Sequence, residues 1–156
     1  MSRKALNLYI PDSKVPRPAG LWKKAKYYFW KALYPPVIIG RDVLMSFHLI
    51  HHEGRQRFLF GKLASGKKVE DFLKFLEAKG FGNHFVAWKD DGQLISLRRP
   101  DGFDYQYHLR IFKDGEIRGH YEYTPESHPY WHFIEHGEEE RRSDFFEFCG
   151  DWIVRA

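Results

Sequence analysis

Residues Asp104-Tyr105-Gln106-Tyr107-His108-Leu109-Arg110-Ile111-Phe112-Lys113-Asp114-Gly115-Glu116-Ile117-Arg118-Gly119-His120-Tyr121-Glu122-Tyr123 read as two strands joined by a tight turn. Lys113-Asp114-Gly115 suits a three-residue hairpin loop, with Gly115 in the left-handed position that such a loop requires. That loop places Phe112 opposite Glu116 and sets the pairs Ile111/Ile117, Leu109/Gly119, Tyr107/Tyr121 and Tyr105/Tyr123 on one face. A two-residue loop would set apolar residues against polar ones. The other face then pairs Arg110 with Arg118, His108 with His120 and Gln106 with Glu122.

More strands are expected around this hairpin. Turn signals at Asp90-Asp91-Gly92 and Pro100-Asp101-Gly102 bound strands at about 84–89 and 93–98. Upstream, alternation of Val43, Met45, Phe47 and Leu49 predicts a strand over 43–51, paired with 56–63 around Glu53-Gly54. A helix capped by Asp42 is the competing reading of 43–51, because Val43, Leu44, Phe47 and Ile50 also fit a helical period.

Three helices are expected. Val69, Phe72, Leu73 and Leu76 are spaced for a helix over 66–79, capped by Ser65 and stopped at Gly80. A last helix begins near Ser143 and presents Phe145, Phe148, Cys149 and Trp152. Residues 21–34 form the first, stopped by Pro35-Pro36, after an extended segment held open by Pro11, Pro16 and Pro18. A short helical turn near 129–136 completes the list. The fold class is therefore α+β: one domain, an antiparallel sheet of about six strands with helices on one face, and a basic aromatic N-terminal helix. Residues 1–41 form the arm and 42–156 the body.

Charge is distributed unevenly. Residues 1–41 hold nine Lys or Arg and one acid, Asp12, a balance of +8, whereas the remaining 16 bases and 20 acids sum to −4. Such asymmetry points to an anionic partner. The leading expectation is RNA or single-stranded DNA, with Lys23, Lys24 and Lys26 on phosphates and Tyr27, Trp30 and Tyr34 stacking on bases. A membrane surface is the less favoured partner for the same basic helix. Assembly into a homo-oligomer through its aromatic side is the third reading. Leu21, Ala25, Phe29, Ala32 and Leu33 share one face with Trp22 and Tyr28, opposite Lys23, Lys26, Tyr27, Trp30 and Tyr34.

The polar face of the hairpin carries the candidate chemistry. An exposed, solvated face is the ordinary fate of such a strip. The alternatives are an anion-binding strip, in which Arg110 and Arg118 hold a phosphate without chemistry, and a metal-independent phosphoesterase, in which His108 and His120 also exchange protons. His128, His132 and His136 recur every four residues, so they are weak metal candidates; the Glu of hydrolytic zinc helices is replaced by Phe133. His51-His52-Glu53 forms a further cluster at a turn.

Composition excludes other classes. Hydrophobic residues make up 43%, too many for a disordered chain. One cysteine, Cys149, excludes an internal disulfide and a Cys-rich zinc site. No phosphate-binding glycine loop and no cofactor motif is present, so no cofactor is expected. Met1-Ser2-Arg3-Lys4 lacks an apolar signal core, and a cytoplasmic protein is expected. Five amides and two methionines among many charges resemble a thermophilic composition.

Overall fold

The computed structural model describes residues 10–49, 57–84, 90–128, His132 and 141–156, and for Trp30, Tyr34, Val37, Ile38 and Asp42 the backbone alone. In chain order it contains helix α1 (Leu21–Ser46), strand β1 (Phe58–Leu63), helix α2 (Val69–Ala78), and strands β2 (Gly82–Asn83), β3 (Gln93–Asp101), β4 (Tyr105–Phe112) and β5 (Glu116–Tyr123). Helix α3 (Arg142–Cys149), a 3-10 turn at Gly150–Trp152 and strand β6 (Ile153–Arg155) follow. The six strands form one sheet in the order β2-β3-β4-β5-β1-β6, antiparallel at every described pairing.

The β4–β5 hairpin holds the argued register, including Leu109 opposite Gly119, His108 opposite His120 and Gln106 opposite Glu122. Two features enforce it. Gly115 has φ +83°, which a side chain would disfavour. A Cβ at Gly119 would strike the His108 carbonyl and crowd the rings of Phe60 and Phe145.

The apolar face of the sheet is the core. Leu97, Leu109, Ile111 and Ile117 lie fully buried against Phe72 and Leu76 of α2 and Phe145 of α3. Phe60 stacks on Phe145 with centroids 4.3 Å apart. Each such side chain contributes roughly 1.5–3 kcal/mol of burial. Cys149 is buried, and burial pushes its thiol up to about 12.

Several expectations are corrected. Helix α1 runs through Pro35 and Pro36 to Ser46, a continuous 26 residues, although the prolines cannot donate to the carbonyls of Lys31 and Ala32. Val43–Ser46 is therefore helix, as the competing period allowed, and the 43–51/56–63 hairpin does not form. Strand β1 pairs instead with β5 and β6, a longer-range choice that buries Phe60. Helix α2 starts at Val69, after Lys68 rather than Ser65, with no side-chain cap. Strand β3 continues through Pro100, and the last helix ends at Cys149, leaving Trp152 in the 3-10 turn. Of the strand expected at 84–89, only His84 is described, and it follows β2 outside any strand. The 129–136 turn, apart from His132, and His51, His52, Glu53 and His136 lie outside the described residues.

The N-terminal segment packs on the sheet edge. Ile10 is buried, Pro11 and Ser13 cross over Gly82, and the Ser13 hydroxyl donates to the Arg98 carbonyl at 2.6 Å. Among the described residues no helix is long and apolar enough to cross a membrane.

Candidate metal centre

The polar face of the sheet is not wet. Strand β4 is buried at every position from Gln106 to Phe112, so both of its faces are covered. The solvated strip expected for this face is thereby overturned. Arg110, 2% exposed, donates to the Asp90 carboxylate. Arg118 donates to Glu116 at 2.8 Å and to the Arg57 carbonyl at 3.1 Å. Arg98 binds Glu126 through two bonds of 2.9 and 3.1 Å. Burial without such partners would cost several kcal/mol per charge, which explains why each guanidinium here meets an oxygen.

At the centre stands Glu122, 3% exposed. Strand alternation puts it on the polar face of β5, two residues from His120 and opposite Gln106. Its Oε1 lies 3.1 Å from His108 Nδ1, 3.5 Å from His84 Nε2 and 2.8 Å from Gln106 Nε2. Its Oε2 lies 2.7 Å from His120 Nε2 and 3.3 Å from His132 Nδ1. One carboxylate thus stands among four imidazoles. His84 reaches the group because its backbone N–H continues the β2–β3 ladder, donating to Ser96 at 3.0 Å.

Electrostatics sorts these groups. Burial pushes the Glu122 carboxyl up, but the His132 and His120 charges outweigh it and hold the group well below its ordinary range. Burial pushes His132 down, and facing Glu122 reverses this, leaving it raised. Burial lowers His84 to about 4 and His108 well below the ordinary histidine value, in both cases against the pull of Glu122. At neutral pH the centre therefore holds an ionised Glu122 carboxylate and two neutral imidazoles, His84 and His108, while His132 is the imidazole whose charged form Glu122 favours. Neutral imidazole and ionised carboxylate are the forms that ligate metals.

The donor atoms of His84, His108 and Glu122 all lie within 4.8 Å of one another. A first-row ion with bonds of about 2.1 Å separates neighbouring ligands by about 3.4 Å in a tetrahedron and about 3.0 Å in an octahedron. The 3.1 and 3.5 Å separations to Glu122 Oε1 fall at those edges. Two buried polar atoms fit the same interpretation: His108 Nδ1 and Gln106 Oε1 make no hydrogen bond among the described residues. Gln106 turned about its terminal torsion would offer that oxygen near 2.8 Å from His84 Nε2, where its amide nitrogen now stands. Ser96 Oγ, 2.7 Å from His108 Nε2, orients that ring from behind, as partners of ligating histidines do.

Of the sites expected from sequence, the structure unites His108 and His120, with ring centroids 4.9 Å apart, but places them at 2% and 0% exposure. His132 joins the centre, whereas His128 contacts Tyr123 on the opposite side of β5. On α1, Lys23 is bonded to Asp104 at 3.0 Å, and the Tyr27 ring packs on Phe103 at 6.2 Å. Lys24 is exposed, Lys26 lines a cavity of about 340 Å³ with Trp22, Tyr105 and His128, and the side chains of Trp30 and Tyr34 are not described. His84 and the central role of Glu122 went unread in the sequence. The register argument already put Glu122 beside His120, but nothing local marks His84. Compared with protein families, curated proteins and solved structures, the chain matches none.

Proposed function

We propose that the protein binds one divalent first-row transition-metal ion, with His84 Nε2, His108 Nδ1 and Glu122 Oε1 as ligands and Gln106 as a neutral fourth donor. The observation that carries this reading is a single buried carboxylate whose Oε1 faces two neutral imidazoles at ligand-edge separations. A donor set of two nitrogens and a carboxylate oxygen, without thiolate, suits zinc, iron(II), manganese(II) or cobalt(II) more than copper(I). Bound there, the ion joins the residue after β2 to β4 and β5, three segments distant in sequence, and so ties the polar face together. The phosphoesterase reading loses support here. Its two histidines are covered, and both of its arginines are already neutralised by Asp90 and Glu116.

The test is to strip divalent ions with a chelator and titrate the protein with zinc and cobalt(II). Calorimetry is expected to show one site per chain, and cobalt(II) to develop visible absorption. His84→Gln and Glu122→Gln should abolish both signals, while His128→Gln keeps them. Absence of saturable one-to-one binding, or binding indifferent to both ligand changes, would overturn the reading.

A further inference from the structure

Helix α1 docks the wrong way round for an amphipathic helix. Its contacts to the body come from the polar side: Lys23 on Asp104 and Tyr27 on Phe103. The apolar side points outward. Trp22 is 83% exposed; Phe29 and Leu33 further along, and Ile39, Val43, Leu44 and Phe47 toward the far end, are exposed as well. At 100° per residue, Leu21, Trp22, Ile39, Val43 and Leu44 fall within one continuous arc. Scattered single apolar residues need no account, but a contiguous apolar face along one helix marks an interaction surface.

Charge identifies the occupant. Lysines border the arc on both edges, Lys26 on one side and Lys24 and Lys31 on the other. Across the helix there are five basic residues and a single acid, Asp42. An apolar stripe with aromatic and aliphatic residues between rows of cations is the pattern that lies flat in a lipid interface, with lysines reaching the headgroups. A second copy of the chain fits less well, because a two-fold contact would bring the same lysine rows face to face. Nucleic acid also fits less well, since it needs its cations at the middle of the contact, where this helix carries Ile39 and Val43.

We infer that α1 is a membrane-surface element that seats its outward apolar face in a lipid leaflet containing anionic headgroups. The inference is independent of the metal reading, and metal-loaded and chelated protein should partition alike.

The experiment is co-sedimentation of the full chain with vesicles of phosphatidylcholine alone and of phosphatidylcholine with phosphatidylglycerol. Binding is expected to the anionic vesicles only, and to weaken as salt is raised. Lys24→Glu with Lys31→Glu should weaken partition about tenfold or more. Ile39→Asp with Val43→Asp should weaken it similarly, and both pairs sit at exposed positions where circular dichroism should be unchanged. No binding to anionic vesicles overturns the inference. So does equal binding to neutral vesicles, a dimer in solution that the Ile39/Val43 change splits without vesicle binding, or retention of short RNA with no vesicle binding.

Discussion

Glu122 Oε1 stands 3.1 Å from His108 Nδ1, both groups buried, yet the alignment is not that of a hydrogen bond. A carboxylate oxygen and an imidazole nitrogen held that close need a cation between them or a proton aimed along the line. His132 and His120 occupy the other oxygen, so Oε1 is the side turned toward His84 and His108. The proposed ion answers that arrangement.

Ser96→Ala removes the hydroxyl behind His108 and leaves every proposed ligand side chain in place. Loss of such an orienting partner is expected to weaken metal affinity by about 10–100-fold. Calorimetric titration against the unaltered protein checks this, with a thermal melt to show that the fold is retained.

Acid should destabilise the metal-free protein. His84 titrates near 4 in the fold against an ordinary 6.5, so between those values the unfolded chain binds more protons. Its contribution is present above pH 6.5 and lost as pH falls toward 4, on the order of 3 kcal/mol. His108 acts in the same direction, and Glu122, held low, adds its loss at still lower pH. His132 has the opposite sign: its contribution is full below 6.5 and fades as pH rises through its raised value. Urea unfolding in chelator should therefore show a fall in stability from pH 6.5 to pH 4.

Arg110 and Asp90 form a pair at 3% and 0% side-chain exposure. Arg110→Met leaves the Asp90 carboxylate without its guanidinium and should cost about 3–5 kcal/mol. Adding Asp90→Asn is expected to recover part of that loss. A double-mutant cycle in denaturant reads the coupling directly.

Gly119→Val places branched carbon against the His108 carbonyl and the Phe60 and Phe145 rings. Strand propensity favours valine, but overpacking should dominate, costing about 1–3 kcal/mol or more. Gly102→Ala, where a Cβ meets nothing within 4 Å, isolates the backbone cost of a left-handed glycine. Comparison of the two melting temperatures separates steric from conformational effects.

The β4–β5 register, the α2 face of Phe72, Leu73 and Leu76, and the buried Cys149 could be read from the chain alone. Each is a local matter: side-chain alternation, helical spacing and a turn glycine act within twenty residues. The partner of β1 could not be read, because pairing Phe58–Leu63 with β5 and β6 depends on segments more than fifty residues away. For 43–51 two periods fitted one string, and for α1 the proline rule mispredicted the end.

By itself, then, the sequence determined which residues share a face of the hairpin, because pleating allows only two faces. Only the tertiary structure decided that the polar face is covered, that His84 and His132 meet Glu122 there, and that α1 turns its apolar side outward. Burial and the meeting of distant donors are properties of packing. A linear pattern can say which side chains lie together on a face, but not what is laid over it.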